Sequence, residues 1–249
     1  MRGLLGIQLP TESKKNILEK IKKDIEQQRG FVNVISLNPE NCVAYFEDKS
    51  FKKIVETAQT TIIDGAGVVL AAQILGVPVG ERYTGTDLMS ELMEWACQSG
   101  VSVALIGGKP KIAETISHCY KEKYPEAKIM ANHGFNDVFQ PKEEEISELN
   151  SIVAHYKPQI VFASFGSPTQ EKWFEANRAL FADSVCIGVG GAFDFLAGSV
   201  PRAPKILRTL GLEWFFRLVI QPWRLQRQLR LFKFLWLVIL QRLHLLREN

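Results

Sequence analysis

The sequence predicts an α/β fold, in which a parallel sheet of about six strands is flanked by helices and followed by a separate helical segment. Short apolar runs alternate with helical segments between residues 13 and 189, and this alternation is typical of parallel sheets with right-handed crossovers. After residue 200 the composition changes to long aliphatic and aromatic runs with interspersed arginines. We therefore divide the chain into an α/β domain at residues 1–199 and a basic, amphipathic helical appendage at residues 200–249.

The helical segments are recognised by their caps and their periodicity. Residues 13–28 carry four aliphatic residues on one helical face behind Ser13, which is a good N-cap. Pro39 suits the first turn of a helix, and Gly76 and Gly100 suit helix C-termini. The predicted helices lie at residues 13–28, from 39 onward, and at 52–58, 68–75, 86–99, 110–123, 142–156 and 169–180.

Apolar runs of strand length separate these helices, at residues 32–38, 62–63, 101–106, 127–132, 159–165 and 184–189. In a parallel sheet, ligands bind at the carboxyl ends of the strands. Tight turns alone explain several of the small residues found there. Together they predict a cleft in which backbone amides and helix N-termini hold a phosphate-bearing small molecule. The strand-end residues are Asn38, Asp64, Gly107, Gly134, Gly166 and Gly190.

Asp64 is the strongest candidate for chemistry. It follows the strand Ile62-Ile63 directly, and the glycines after it permit close approach of a ligand to the backbone. The alternative is that Asp64 only caps the following helix, which is a common use of aspartate. The polar loop at residues 82–87, which includes Arg82 and Asp87, has no structural need for so many polar groups and favours a catalytic acid.

Several chemistries are excluded by patterns that the sequence lacks. It has no G-x-x-x-x-G-K-[ST] loop, and residues 188–193 do not fit G-x-G-x-x-G. It has no D-x-D pair to clamp a diphosphate through a metal ion. The four cysteines and four histidines are dispersed without zinc-site spacing. We therefore expect no metal and no cofactor. Without a metal ion, a leaving diphosphate would be stabilised by arginines and backbone amides, and Arg82 is the nearest candidate in the sequence. The alternative is that Arg82 is an ordinary surface or ion-pair residue.

The compartment is expected to be reducing. The cysteines lie in apolar contexts, as buried free thiols do. Residues 1–10 lack the pattern of a signal peptide, because the apolar run is short and is followed by polar residues. These features predict a cytosolic chain.

The appendage is electrostatically different from the domain. Beyond residue 199 there are ten Lys or Arg residues and two Glu residues, a net charge of +8, which leaves −5 on residues 1–199. The uncharged run at 234–240 is too short to span a bilayer, so we expect a helix lying among lipid headgroups. The alternatives are a helix that packs on a core or in a dimer, and, less favoured, binding of nucleic acid. Arg217, Arg224 and Arg227 share one face if the helix is continuous, and Pro222 is a possible interruption.

Many blocks, in one order from about residue 6 to residue 230, resemble the WecG/TagA/CpsF glycosyltransferases of bacteria. The blocks are SLNPE at 36–40, IDGAGVVLAA at 63–72, ERYTGTDL at 81–88, LIGG at 105–108, FGSPTQEKW at 165–173, GVGGAFDFLAG at 188–198, PRAP at 201–204, GLEWFFRL at 211–218 and QPWRLQRQ at 221–228.

This resemblance implies a Rossmann-like domain with a membrane-targeting appendage. It also implies an inverting, metal-independent transfer of N-acetylmannosamine, or of its uronic acid, from UDP to undecaprenyl-diphosphate-linked N-acetylglucosamine. The partners would be that donor, that lipid-linked acceptor and the inner face of the cytoplasmic membrane, without nucleic acid. The exposed apolar side chains of the appendage would also favour self-association of the chain away from the membrane. The competing hypothesis from another class is a non-catalytic nucleotide-sugar sensor or membrane scaffold.

The resemblance also assigns roles to residues. It places the catalytic acid at Asp64 and supporting polar groups at Ser36, Asn38, Arg82 and Gln170. The acceptor diphosphate would meet three arginines of the appendage, Arg217, Arg224 and Arg227. The nucleotide sugar would lie against the strand ends, with Asp194 near the nucleoside, at Asn38, Gly107, Gly108, Gly134, Phe135, Gly166, Gly190, Gly191 and Asp194.

Two positions depart from the family pattern. Ser36 stands where threonine is usual, which keeps the hydroxyl group. Thr169 stands where lysine is usual, which removes a positive charge, so that contacts to phosphate or acceptor at this point are expected to differ.

Overall fold

The computed structural model describes residues 3–209, 211–222 and 225–246, without the side chains of residues 226–228. Within this part of the chain the strands are β1 (Val32–Leu37), β2 (Thr60–Ile63), β3 (Val103–Gly107), β4 (Ile129–Asn132), β5 (Ile160–Ser164) and β6 (Val185–Gly188). They form one sheet in the order β2-β1-β6-β5-β3-β4, and every pairing is parallel. The predicted α/β class is confirmed.

Helices connect the strands and cover the sheet, and their positions follow the predicted ones closely. They are α1 (Lys14–Glu26), α2 (Pro39–Glu47), α3 (Lys49–Thr57), α4 (Ala66–Leu75), α5 (Gly85–Ser99), α6 (Ile112–Lys123), α7 (Glu143–Tyr156), α8 (Thr169–Ala176), α9 (Ala192–Leu196), α10 (Lys205–Thr209), α11 (Glu213–Ile220) and α12 (Leu225–Arg242).

Two helices differ from their predicted bounds by three residues or more, and a side-chain hydrogen bond is found at each of these ends. Helix α3 begins three residues earlier than predicted, because the Asp48 carboxylate accepts hydrogen bonds from the backbone N–H groups of Ser50 and Phe51. Helix α8 ends at Ala176, well before residue 180. There the Asn177 side chain donates to the Trp173 carbonyl at 2.8 Å and satisfies a group of the last turn.

The strand order creates a crevice at one edge of the sheet. The chain moves from β1 outward to β2, and then builds the other side of the sheet from β3 and β4 before β6 returns to lie between β1 and β5. The carboxyl ends of β2, β1, β6 and β5 are therefore neighbours, and those of β3 and β4 lie farther along the sheet. Ligands of open α/β sheets bind at such reversals of strand order.

The C-terminal helix completes the core on one face of the sheet. Phe234 and Val238 of α12 are buried in the same apolar cluster as Leu4, Leu37 and Ile63. The Gln241 side chain also binds the N-terminal segment, accepting from the Leu5 N–H and donating to the Gly3 carbonyl, both at 2.8 Å. Core packing, the alternative kept for this segment, is therefore found on one face of α12.

The opposite face of α12 is apolar and exposed. Phe232, Leu235, Trp236 and Ile239 are each at least 41% exposed there. Among the described residues no helix combines the length and apolar character needed to cross a membrane. Helix α11 ends at Ile220, shortly before Pro222, so Arg217 and Arg227 lie on separate helices.

Candidate active site

A cavity of about 300 Å³ opens at the carboxyl edge of β2, β1, β6 and β5. Helix α11 forms part of its wall, so the appendage and the α/β domain both line it. The cavity brings together most of the predicted site residues, namely Ser36, Asn38, Asp64, Arg82, Gly166, Gln170, Gly190, Gly191 and Arg217.

Asp194 and four other predicted nucleotide-sugar residues are not among those that line the cavity. A Cβ at Gly107 or at Gly134 would lie 2.7 Å from the ring of Phe165, so both glycines make room for that side chain. Phe135 stacks on the same ring with centroids 5.7 Å apart, and a Cβ at Gly108 would meet Ile112 at 2.5 Å. The structure does not bring these four residues into the cavity. They lie at the ends of β3 and β4, which come after β5 in the strand order and are farthest from β2 and β1. A nucleotide role for them stays a prediction.

Asp64 extends from the end of β2 into the cavity and does not cap helix α4, which follows it in the chain. The N-cap of α4 is Gly65, and no side chain caps that helix. Hydrogen bonds at 3.0 Å from the Asp64 N–H to the Leu37 carbonyl, and at 2.7 Å from the Tyr83 N–H to the Ile63 carbonyl, hold the strand end in place. The predicted alternative, a simple helix cap, is wrong.

The environment of Asp64 makes its carboxylate a stronger base than a free aspartate. Its pKa is raised to about 6. Burial is the largest cause, the positive charge of Arg82 and the backbone N–H of Gly85 oppose it, and the negative charges of Glu213 and Asp87 add to it. Such a group is mostly ionised at neutral pH and still accepts a proton readily. This is the protonation behaviour that a general base needs.

Ser36 and Asn38 stand beside Asp64 at the end of β1. The Ser36 hydroxyl is buried and has no hydrogen-bond partner among the described residues, although it lines the cavity. A buried hydroxyl of this kind is normally satisfied by a ligand or by water. Asn38 uses its side-chain oxygen to accept the Asn41 N–H at 2.9 Å, which caps helix α2.

Gln170 spans two loops of the cavity. Its side-chain oxygen accepts the Gly190 N–H at 3.2 Å, and its Nε2 donates to Glu171 at 3.0 Å. Glu171 also accepts from the Ser167 hydroxyl at 2.7 Å. Burial raises the pKa of Glu171, and these two hydrogen bonds oppose the rise. Glu171 was missed in the sequence, although its position inside the FGSPTQEKW block was a signal.

The Arg82 guanidinium is held by three partners. Its Nε donates to the Asp64 carbonyl at 2.8 Å, and its Nη1 donates to the Arg208 carbonyl at 3.0 Å. Its Nη2 lies 3.7 Å from the Glu213 carboxylate. Glu213, like Glu171, was not singled out in the sequence. Arg82 therefore fixes the backbone beneath the candidate base as well as placing positive charge at the cavity wall.

Arg217 docks helix α11 onto the loop after β6. It forms an ion pair with Asp194 at 2.8 Å and donates to the Gly191 carbonyl at 3.2 Å. Its guanidinium also stacks over the Phe195 ring, 4.5 Å from the centroid. The predicted nucleoside role of Asp194 stays a prediction. Of the other two predicted arginines, Arg224 lies outside the described residues, and the side chain of Arg227 is not described.

The residues that the structure describes hold no group of three or more His, Cys, Asp or Glu side chains arranged for a metal ion.

Comparison with known proteins identifies the family. A model described as "Glycosyl transferase WecG/TagA/CpsF family" matches residues 2–248, almost the whole chain. The chain belongs to this family. It is therefore a glycosyltransferase, and the non-catalytic sensor or scaffold is not supported.

Three curated relatives carry the name N-acetylglucosaminyldiphosphoundecaprenol N-acetyl-beta-D-mannosaminyltransferase. The relative from Bacillus subtilis (strain 168) is 32% identical over 213 residues, which cover 86% of this chain and 80% of the relative. The relative from Bacillus spizizenii is 31% identical, and the match covers 86% of this chain and 81% of the relative. The relative from Staphylococcus aureus (strain NCTC 8325 / PS 47) is 28% identical, and the match covers 90% of this chain and 86% of the relative. The names of these relatives state an N-acetylmannosaminyl transfer to a lipid-diphosphate-linked N-acetylglucosamine.

Proposed function

We propose that this glycosyltransferase moves N-acetylmannosamine, or a related sugar, from UDP to undecaprenyl-diphosphate-linked N-acetylglucosamine, for a cell-surface polysaccharide or teichoic acid. The transfer inverts the anomeric centre and needs no metal ion. The relatives named above support the sugar and the acceptor. The observation that carries the mechanism is Asp64, a cavity carboxylate whose pKa is raised to about 6.

Asp64 acts as the general base. It takes the proton from the acceptor hydroxyl while that oxygen attacks the anomeric carbon from the face opposite UDP. The bond from the anomeric carbon to the diphosphate oxygen breaks, and UDP leaves with the electron pair. Ser36 and Gln170 orient the sugars, and Arg82 adds positive charge for the leaving diphosphate. Backbone amides at the start of α4 support the same charge.

The appendage holds the enzyme at the inner face of the cytoplasmic membrane. Its exposed apolar side chains on α11 and α12, including Trp214, Phe215 and Trp236, suit the boundary between headgroups and acyl chains. Its net charge of +8 is attracted to anionic lipids. An acceptor that carries its diphosphate at headgroup depth then meets the cavity through the wall formed by α11, where Arg217 lies.

The decisive experiment is a transfer assay with purified full-length protein. Labelled UDP-N-acetylmannosamine and, in parallel, the corresponding uronic acid donor are incubated with lipid-linked N-acetylglucosamine. We expect transfer of one donor by the wild type and a loss of about 10²–10⁴ in rate for Asp64→Asn, with donor binding retained. Near-normal turnover by Asp64→Asn would remove the base from this mechanism, and no transfer from either donor would refute the proposed substrate pair.

A further inference from the structure

Glu213 begins helix α11 and joins two arginines from different parts of the chain. Its carboxylate lies 3.7 Å from Arg82 Nη2 and 3.5 Å from Arg202 Nε. Its side chain is only 15% exposed. A carboxylate held between two guanidinium groups at low exposure is screened less by solvent than a surface ion pair.

The two arginines extend this network in two directions. Arg202 forms a second ion pair, at 2.6 Å, with Asp87 in the first turn of α5. Asp87 in turn accepts a hydrogen bond from Thr84, the N-cap residue of that helix, at 2.7 Å. A line of charged side chains thus runs from α5 through the linker at residue 202 to the start of α11.

In the other direction, Arg82 connects Glu213 to the candidate base. The same guanidinium that faces Glu213 donates to the Asp64 carbonyl at 2.8 Å and to the Arg208 carbonyl at 3.0 Å. The rotamer of Arg82 is therefore fixed by the backbone carbonyl of the base itself, by the Arg208 carbonyl before α11 and by the Glu213 carboxylate at its start. If α11 moved away, Arg82 would lose its carboxylate partner.

We propose that Glu213 is a positioning residue that fastens α11 over the cavity and orients Arg82 beneath Asp64, so that the base is complete only when α11 is docked. This inference rests on the proposed function, in which Asp64 is the base. It gives the appendage a role at the catalytic centre that is separate from membrane binding and from contact with the acceptor.

Glutamine cannot replace glutamate in this arrangement. The charged groups that face Asp64 are Arg82, Glu213 and Asp87, together with the N–H of Gly85. Removing the negative charge of Glu213 leaves the positive charge of Arg82 less compensated, which stabilises the ionised form of Asp64. A Glu213→Gln variant should therefore have a more acidic base as well as a looser α11.

The test compares the full-length wild type with Glu213→Gln, with Glu213→Asp, which keeps the charge, and with Glu56→Gln as a matched control. Glu56 accepts a hydrogen bond from the Tyr45 hydroxyl at 3.0 Å and does not line the cavity. Three measurements are made: hydrogen exchange of the segment 211–222, the pKa of the Asp64 carboxyl by carbon NMR titration, and the pH profile of transfer. Exchange of the β1 amides monitors the integrity of the fold.

For Glu213→Gln we expect exchange in 211–222 to be about tenfold faster with β1 unchanged. The Asp64 pKa should fall, and kcat should fall by about 10–100-fold with a smaller change in KM for the donor. Glu213→Asp should recover part of each effect, and Glu56→Gln should match the wild type.

Unchanged exchange in 211–222 together with an unchanged Asp64 pKa in Glu213→Gln would overturn the inference, whatever the activity. A second outcome would also overturn it. If Glu213→Gln loses activity with an unchanged Asp64 pKa, and exchange rises equally in 211–222 and in β1, the variant has only lost general stability. If the wild type transfers no sugar, the proposed function fails, and the exchange and titration measurements still decide whether Glu213 positions α11 and Asp64.

Discussion

The Arg217 guanidinium of helix α11 and the Asp194 carboxylate of helix α9 form an ion pair at 2.8 Å, with both side chains largely buried. The pair joins the appendage to the loop that follows β6. Because one partner is supplied by each part of the molecule, the cavity wall depends on the docking of α11 as much as on the sheet.

This ion pair should be measurable as a coupling between the two residues. We expect Arg217→Lys and Asp194→Asn each to lower the free energy of unfolding. Lysine cannot reproduce both contacts of the guanidinium, to Asp194 and to the Gly191 carbonyl, and asparagine removes the negative charge that faces Arg217. The double variant should lose less than the sum of the two, with a coupling of about 1–3 kcal/mol. Urea unfolding of the four proteins provides the measurement, and strict additivity would show that the pair is not coupled.

Transfer activity should depend on the ionisation of Asp64. The folded pKa of about 6 means that the base is protonated below that pH. We expect kcat/KM to fall about tenfold per pH unit below pH 6 and to level off above it. A profile of the transfer rate from pH 4.5 to 8.5 tests this. A limb that persists unchanged in Asp64→Asn would belong to another group.

The same carboxylate should cost stability at neutral pH. A folded pKa above the unfolded value means that the folded state binds more protons between about pH 4 and pH 6, so stability falls as pH rises through that range. Asp64→Asn removes this cost, and its Tm should exceed that of the wild type by a few degrees at pH 8. The difference should shrink at pH 4. A lower Tm at pH 8 would contradict the raised pKa.

Glu171 should act on the reaction through Gln170. The two side chains are hydrogen-bonded at 3.0 Å, and Gln170 also holds the Gly190 N–H. We expect Glu171→Ala to lower kcat substantially and Glu171→Gln to lower it less, since glutamine keeps an acceptor. Combined with Gln170→Ala, the Glu171→Ala change should add little. Additive losses in the double variant would indicate separate roles.

The exposed face of α12 should carry membrane binding. Trp236→Ser and Phe232→Ser should weaken partitioning onto anionic vesicles, measured by co-sedimentation at low and high salt, because each removes apolar area from the acyl boundary. Phe139→Ser is the matched control, since Phe139 is 78% exposed on a loop outside the appendage. Equal binding by all three variants and the wild type would refute this role. Cutting the chain near residue 200 is a poorer test, because it also removes Phe234 from the core.

Much of the architecture could be read from the sequence, because its determinants are local. The alternation of apolar runs with capped helices specifies parallel strands and crossovers, and the sheet follows it closely. Asp64 could be identified from its position directly after a strand and before glycine, which places a carboxylate at the ligand-binding edge of any parallel sheet. The family blocks then identified the class of enzyme.

Only the tertiary structure decided which strand ends meet. Gly107 and Gly134 stand at strand ends, as Gly190 does, yet they pack around Phe165. The strand order places β3 and β4 beyond β5, away from β2 and β1. The tertiary structure also decided the partners of Asp64: Arg82 reaches Glu213 from far away in the chain, and α12 fills the core beside Leu4. Periodicity records which face of an element is buried, whereas pairing between distant side chains depends on how the elements are arranged in space, and no local pattern encodes that arrangement.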